Sequence, residues 1–185
     1  MLRFSIISSP AEWHELGRFR HEGYAAKKPY MMNELDHKGL EEYDARGTTY
    51  AAWLGNRIVG SIRLCPFPYE VNNYIDEQTL TQFLGQHYRQ EYMEWTRLLI
   101  APNTTVPHLL HSLVIYAARM ALETTPYQKY VGYCTSLTRR LFARYHLIDE
   151  NIQFSIPQRG SHRYILFKGD FAEAYRHLQY HREAC

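Results

Sequence analysis

Two opposite charges lie in one predicted strand, and this pairing is the first sign of chemistry in the sequence. Glu94 and Arg97 belong to the run from Glu91 to Pro102, whose aromatic, β-branched and aliphatic residues predict a central strand. Side chains alternate faces along a strand, so residues three apart point to opposite sides. One β-bulge between them would bring both charges to the same side, and bulges often lie beside active sites. The alternative is that one charge faces solvent and the other is paired under a helix.

The elements predicted around this strand mix strands with helices. Further strands are predicted over 2–7, 48–54, 57–67, 130–134, 153–156 and 162–167. Helices are predicted from Pro10 to about Tyr24, over 77–84 after the N-cap Asp76, from a cap at 104–107 to just before Pro126, from Thr135 or Ser136 to about His146, and over about 170–181. Gly55-Asn56 predicts a hairpin turn, and the helix that precedes the 130–134 strand predicts a crossover connection.

Length and charge argue against several classes of function. The 185 residues predict one domain, 1–185. Lys and Arg number 21 against 19 Asp and Glu, a formal net charge of +2, which favours neither nucleic acid nor a membrane as partner. The three cysteines have no paired spacing and predict reduced thiols, and no run of residues predicts a signal peptide or a spanning helix. We therefore expect a cytoplasmic protein.

Histidine pairs are the only sequence pattern that suggests a metal. His108 with His111, and His177 with His181, have helical spacing, but no Cys or carboxylate completes a known ligand pattern around either pair. We therefore predict no metal site. Covalent catalysis is not predicted either, because Ser136 and Cys134 have no Ser-His-Asp context.

Four motifs resemble, in order and spacing, the signature of the LuxI-type acyl-homoserine-lactone synthases. They are Arg20-x-x-x-Tyr24 followed by Tyr30, Glu41-Glu42-Tyr43-Asp44, Gly60-Ser61-Ile62-Arg63-Leu64-Cys65-Pro66, and Glu94-Trp95-Thr96-Arg97. The family has Phe, Trp and Asp where this chain has Tyr24, Tyr30 and Glu41. The signature spans roughly half of the chain.

The resemblance implies the Gcn5-type acyltransferase fold, which the order of the predicted elements also favours. We expect an α+β (mixed α/β) three-layer sandwich around a central twisted, largely antiparallel sheet. The sheet would splay between the strands near 92–100 and 129–134. In this fold the substrates meet at that splay.

The resemblance also implies a reaction. A fatty acyl group would pass from an acyl-carrier protein to the α-amine of S-adenosylmethionine, and lactonisation would then give an N-acyl-homoserine lactone and methylthioadenosine. S-Adenosylmethionine would be a co-substrate, with no bound cofactor. The amine has a reference pKa of about 7.7 to 8.0, so a base such as Glu94 has little to do. Unpaired N–H groups at the bulge would stabilise the thioester oxygen as it gains negative charge.

These roles assign the candidate site residues. The catalytic candidates are Glu94, Arg97 and Asp44. The substrate-binding candidates are Arg20, Tyr24, Tyr30, Glu41, Arg63, Trp95 and Thr96. Taken singly, each arginine is better explained by a surface or edge ion pair than by a role in a site, and the aromatic residues are better explained by packing. For Asp44 and Glu41, a solvated acidic loop is about as good an explanation as a site.

The acyl donor has its own sequence argument. Enzymes of this fold that use coenzyme A commonly carry a Gly-rich turn after the central strand, whose N–H groups bind the pyrophosphate. Ala101–Pro107 contains no Gly, which favours a carrier protein. Such carriers are acidic, and the candidate docking residues are Lys129, Arg139, Arg140 and Arg144. A solvated helix face is the alternative.

Two other functions stay open. An N-acyl amino acid synthase on the same scaffold would acylate a free amino acid and release no methylthioadenosine. A non-catalytic descendant would bind the acyl carrier without turnover. The substitutions at Tyr24, Tyr30 and Glu41 bear on this choice, because in the family these positions shape the pocket for S-adenosylmethionine.

Overall fold

A seven-stranded sheet runs through the centre of the molecule. The computed structural model describes residues 1–143 and 147–176. The strands are β1 Leu2–Ile6, β2 Thr48–Leu54, β3 Arg57–Cys65, β4 Tyr92–Ile100, β5 Lys129–Thr135, β6 Gln153–Ser155 and β7 Arg163–Asp170. Their order is β1-β2-β3-β4-β5-β7-β6, and only the β4–β5 pair is parallel. The predicted largely antiparallel sheet is confirmed.

Among the described residues, five named helices and the helical residues 171–176 pack around this sheet. The named helices are α1 Pro10–Lys27, α2 Glu77–Leu84, α3 Tyr88–Glu91, α4 Leu109–Thr124 and α5 Ser136–Ala143. Four 3-10 helices span Pro29–Glu34, Glu42–Ala45, Glu70–Asn73 and Pro157–Arg159. Residues 171–176 are helical, and the rest of the predicted closing helix lies outside the described residues, as do residues 144–146 of the predicted helix after β5. In the described ranges, no helix is long and apolar enough to cross a membrane.

Local sequence chemistry sets most of these boundaries. The Ser9 hydroxyl accepts a hydrogen bond from the backbone N–H of Glu12, and the Glu12 carboxylate accepts one from the backbone N–H of Ser9, so a capping box begins α1. Asp76 caps α2 through the N–H of Thr79, as predicted. The predicted cap of α4 at 104–107 is wrong. Helix α4 begins at Leu109, because His108 has a left-handed backbone conformation (φ 54°) that cannot continue a helix toward earlier residues.

The core confirms a three-layer arrangement. Alternate residues of β2 pack on opposite faces: Tyr50 joins the cluster under α4, and Ala51 joins the cluster under α1. On β4, Trp95 faces α4, but Leu99, which has the same parity, faces α1. The side-chain alternation therefore shifts by one residue between these positions.

A β-bulge at Arg97 and Leu98 causes this shift. Ser61 of β3 lies opposite Leu99 and Arg63 lies opposite Thr96, so β4 holds one more residue than β3 over this interval. Arg97 adopts a left-handed backbone (φ 55°), which is uncommon outside glycine. The predicted bulge is thus present, and it turns Arg97 to the face of the sheet that Glu94 occupies.

The parallel pair separates just before the bulge. The register of β4 and β5 runs from Tyr92 with Lys129 to Trp95 with Gly132 and then stops. Arg97 and Leu98 have a register partner in neither neighbouring strand. The predicted splay between the two strands is therefore confirmed, and it opens beside the bulge.

Candidate active site

A chain of alternating arginines and carboxylates lies on the α1 side of the sheet. Arg20 of α1 donates to both oxygens of Asp44, at 2.5 and 2.9 Å. Arg63 of β3 donates to Asp44 and to Glu41, each at 3.0 Å. All four side chains are buried, so these are desolvated ion pairs, which depend on having every partner in place.

Arg97 continues the chain from the bulge. Its Nε lies 2.6 Å from both oxygens of Glu41, and its Nη2 lies 2.9 Å from Glu34 and from Glu70. Three carboxylates thus hold one guanidinium, and the alternating charges explain how Arg97 is kept in its strained backbone conformation. Five residues predicted from the motifs, namely Arg20, Glu41, Asp44, Arg63 and Arg97, form one contiguous network.

The network extends beyond the residues that the sequence indicated. Arg159, at the end of the Pro157–Arg159 turn, donates to both oxygens of Glu34 at 2.5 and 2.7 Å and to Glu70 at 2.6 Å. It also donates to the hydroxyl of Tyr133 at 3.1 Å. Nothing in the local sequence marks Glu34, Glu70, Tyr133 or Arg159 as members of the site, because their partners are distant in the chain.

The arginines keep the carboxylates of the network ionised. Burial alone would raise the pKa of Asp44, but the hydrogen bonds and charge of Arg20, with the charge of Arg63, outweigh it and lower the pKa to about 2. Burial is likewise outweighed at Glu70, where Arg97 and Arg159 lower the pKa to about 2. The pKa of Glu41 is lowered in the same way, by Arg97, Arg63 and Arg20.

Glu94 does not face the cleft, which corrects the expected orientation. Its carboxylate is fully buried, and its two oxygens accept the backbone N–H groups of Glu70 (2.7 Å) and Val71 (2.9 Å). Burial, together with the nearby charge of Glu70, raises its pKa to about 7. Glu94 thus anchors the start of the Glu70–Asn73 turn, which in turn sets the position of Glu70.

A cavity of about 280 Å³ fills the splay between β4 and β5. Among the predicted site residues, Tyr24, Tyr30, Trp95, Thr96 and Arg97 line it. Arg20, Glu41, Asp44, Arg63 and Glu94 do not. The buried network therefore lies behind the cavity wall, and Arg97 and Arg159 are the members that reach the surface of the cavity.

The lining of the cavity is mixed in character. Trp95 lies between core and cavity, because its ring packs edge-on against Tyr130 at 4.8 Å between centroids. Apolar walls come from Leu98, Leu99, Ile100, Leu110, Phe142 and Phe167. Polar atoms come from Lys27, Lys28, Tyr133, Thr135, Thr138 and Arg159. The arrangement suits a ligand with an apolar chain and a charged head.

The predicted docking residues do not form one free basic patch. Lys129 pairs with Glu91 at 2.6 Å, and Arg139 pairs with Asp149 at 2.7 Å. Arg140 is exposed and forms no ion pair with a described residue, and Arg144 lies outside the described residues. Within the parts of the chain that the structure covers, no group of His, Cys, Asp and Glu side chains could hold a metal. His177 and His181 lie outside those parts.

No family model and no curated protein matches the chain. Solved structures match it over nearly its whole length. The CoA-dependent acyl-homoserine lactone synthase BjaI, with SAM and isopentyl-CoA, matches with a TM-score of 0.71 at 14% identity, over 96% of this chain and 87% of that one. TofI, in a ternary complex with an inhibitor and MTA, matches with a TM-score of 0.69 at 16% identity, over 97% and 95%.

A third match has a different reaction product. FeeM, an N-acyl amino acid synthase from uncultured soil microbes, has a TM-score of 0.69 at 13% identity, over 95% of this chain and 98% of its own. Acyl-homoserine lactone synthases and an N-acyl amino acid synthase thus share this architecture. The predicted Gcn5-type fold is confirmed, because a protein of the GNAT acetyltransferase family from Desulfovibrio desulfuricans also matches, with a TM-score of 0.64 at 12% identity, over 92% of this chain and 99% of that one. The chain has the fold of the acyl-homoserine lactone synthases that its motifs resemble.

Proposed function

We propose that this protein is an N-acyltransferase that moves an acyl group from a thioester donor to the α-amine of an amino-acid-like substrate. The observation that carries this proposal is the cavity at the splay of β4 and β5, bounded by the bulge at Arg97 and Leu98. Backbone N–H groups released from the sheet ladder at that point are candidate donors to the thioester oxygen. One such donor is typically worth about 2.7–4 kcal/mol in the transition state.

The chemistry requires little from side chains. The amine nitrogen attacks the thioester carbon and the carbon–sulfur bond breaks. The departing sulfur takes up the proton that the amine loses, with solvent as the carrier, and leaves as the thiol. Because the reference pKa of an α-amine is about 7.7–8.0, a useful fraction is unprotonated near neutral pH. A dedicated base is therefore not needed, which is consistent with the burial of Glu94 behind the network.

S-Adenosylmethionine is the first candidate for the amine, as the motifs imply. In that case the methionine carboxylate would attack its own γ-carbon, the carbon–sulfur bond of the sulfonium would break, and methylthioadenosine would leave. Tyr24 and Tyr30 line the cavity, and aromatic rings of this kind can hold a sulfonium. The product would be an N-acyl-homoserine lactone signal.

A free amino acid is the second candidate, and one observation favours it. No Asp or Glu is among the described residues that line the cavity, whereas four cationic side chains are. The two arginines are matched by Glu34 and Glu70 behind the wall, so the two lysines are the charges that repel a sulfonium and attract a carboxylate. With a free amino acid the reaction would stop at the N-acyl amino acid.

One incubation distinguishes these outcomes. The purified protein would receive octanoyl-carrier protein or octanoyl-coenzyme A, together with S-adenosylmethionine or a mixture of the free amino acids, and products would be read by mass spectrometry. Methylthioadenosine with an acyl lactone supports the first candidate, and an N-acyl amino acid supports the second. No acylated amine with either donor would refute the proposed function, and tight carrier binding without turnover would indicate a non-catalytic descendant.

A further inference from the structure

The polar side of the cavity carries more positive than negative charge. Lys27, Lys28, Arg97 and Arg159 all line it. The two arginines are already matched, because Glu34 and Glu70 contact both of them. The two lysines are therefore the positive charges with which an anionic ligand could pair.

The two lysines differ in their environment. Lys27 is exposed, and its Nζ donates to the carbonyl of Ile100 at 3.3 Å. Lys28 is half-buried, and its side chain makes no hydrogen bond or ion pair with a described residue. Its backbone N–H donates to the carbonyl of Tyr24 at 2.8 Å, and its carbonyl accepts the N–H of Met31 at 2.8 Å. Lys28 is therefore a partly desolvated cation with no counter-ion among residues 1–143 and 147–176.

The surroundings of Lys28 destabilise its charged form. Burial, followed by the positive charges of Arg97 and Arg159, lowers the pKa of Lys28. A bound carboxylate would remove that penalty and gain a charge-assisted hydrogen bond in a cavity that screens charge less than water does. The gain would be larger here than for an exposed lysine.

We propose that Lys28 binds the carboxylate of the amine substrate, so that the substrate class is an α-amino acid, or a derivative, whose carboxylate is free. The inference rests on the proposed acyl transfer and adds to it a residue that selects the substrate. Lys28 lies between Tyr24 and Tyr30 in sequence, and all three line the same cavity. The carboxylate would therefore be recognised beside the aromatic pair.

The test compares a carboxylate with its uncharged counterpart. S-Adenosylmethionine and L-methionine would each be compared with their carboxamides, in acyl transfer and in isothermal titration calorimetry, using the wild type, Lys28→Met and Lys28→Arg. We expect Lys28→Met to weaken binding of the carboxylates by about 10- to 100-fold and to leave binding of the carboxamides unchanged. Lys28→Arg should restore most of the difference, and Lys38→Met, on an exposed loop, should match the wild type.

Three outcomes would contradict the proposal, and a fourth would contradict only the proposed acyl transfer. Equal losses for carboxylate and carboxamide would mean that Lys28 supports the structure of the cavity instead. A rise in the KM of octanoyl-coenzyme A or octanoyl-carrier protein, with the amine unaffected, would mean that Lys28 binds a donor phosphate. If the wild type binds the carboxylates no better than their carboxamides, the proposal fails even where acyl transfer is found. If acyl transfer is absent but calorimetry shows Lys28-dependent selectivity, the proposed function fails and the binding site stands.

Discussion

At the scale of single residues, Asp44 is the carboxylate that two buried arginines share. Asp44→Asn would leave Arg20 without the carboxylate it pairs with and would take one carboxylate from Arg63, which keeps Glu41 and Glu70. Breaking a buried pair typically costs about 3–5 kcal/mol. We expect Asp44→Asn to lower the free energy of unfolding at pH 7 by about that amount, as measured by urea denaturation.

The same residue gives a pH dependence of defined sign. The pKa of Asp44 is lowered from 3.8 to about 2 in the folded protein, so its stabilising contribution is complete above pH 3.8 and is lost as pH falls toward 2. Between these pH values the wild type should lose roughly 2 kcal/mol more stability than Asp44→Asn does. Parallel losses in the two proteins would show that Asp44 is not held ionised by the arginines.

The Glu94→Gln variant tests whether Glu94 positions the Glu70–Asn73 segment or acts as the general base. In the wild type each carboxylate oxygen of Glu94 accepts one backbone N–H, from Glu70 or from Val71. The glutamine amide has a single oxygen, so it can accept only one of these N–H groups, and its own NH₂ faces the second. We expect the free energy of unfolding to fall by roughly 1–3 kcal/mol, since one buried donor loses its partner. Because Glu94 does not line the cavity, kcat of the folded protein should change by only a few-fold.

Glu94→Asp provides the comparison for this variant. It keeps the charge but shortens the side chain, so it should also loosen the Glu70–Asn73 turn. A loss of kcat above about 100-fold in Glu94→Gln alone, with stability unchanged, would restore Glu94 as the base, since general bases contribute about 10²–10⁴-fold.

The sequence motifs predicted the central ion-pair network of the site but not the residues that extend it. Arg20, Glu41, Asp44, Arg63 and Arg97 were predicted from motif spacing and do form one network. The orientation of Glu94 was not predictable, because it depends on backbone N–H groups more than twenty residues earlier in the chain. Arg159 and Glu34 are 125 residues apart, and no local pattern joins them.

At the scale of elements, the Pro29–Glu34 helix is held against the Pro157–Arg159 turn. Glu34 receives two hydrogen bonds from Arg159, and the rings of Tyr30 and His162 lie 4.6 Å apart between centroids. Tyr30 and Arg159 both line the cavity, so this contact encloses one side of it. The contact between the two segments depends on the carboxylate of Glu34, which pairs with both Arg97 and Arg159.

Glu34→Gln should therefore loosen this helix. Each hydrogen bond to a charged group is worth about 1.5–3 kcal/mol, and its loss should speed amide exchange in residues 29–35 by tenfold or more. Hydrogen–deuterium exchange read by mass spectrometry measures this directly. Glu77→Gln, which removes an exposed ion pair with Arg89, is the matched control and should leave the 29–35 peptides unchanged. Unchanged exchange in Glu34→Gln would contradict the enclosing role.

The strands were easier to predict than the 28–47 connection. The hairpin of β2 and β3, the crossover from β4 to β5 and the bulge all follow from short-range patterns of apolar, proline and charged residues. This connection contains two 3-10 helices that carry Glu34 and Asp44, although residues 27–44 have no sustained periodicity that would predict them. Tertiary ion pairs hold these turns, so periodicity gives no sign of them.

At the scale of the whole molecule, we expect the donor to approach the cavity from the side of α5. Thr138 and Phe142, four residues apart on one face of this helix, line the cavity together with Thr135, the last residue of β5. Arg140 and Leu137 are exposed instead, and 89% of Leu137 is accessible to solvent. An apolar side chain beside a cation that pairs with no described residue is a surface that an acidic carrier protein fits.

Arg140→Glu tests whether a carrier protein or coenzyme A delivers the acyl group. Reversing this charge should raise the KM for octanoyl-carrier protein by about tenfold at low ionic strength and by less in high salt, because exposed charges are screened. The KM for octanoyl-coenzyme A should stay unchanged, since its contacts would lie inside the splay. Arg57→Glu, an exposed reversal at the start of β3, should affect neither donor. An equal rise in KM for both donors would mean that Arg140 contacts the acyl cavity. An unchanged KM for octanoyl-carrier protein would mean that α5 is not part of the docking surface.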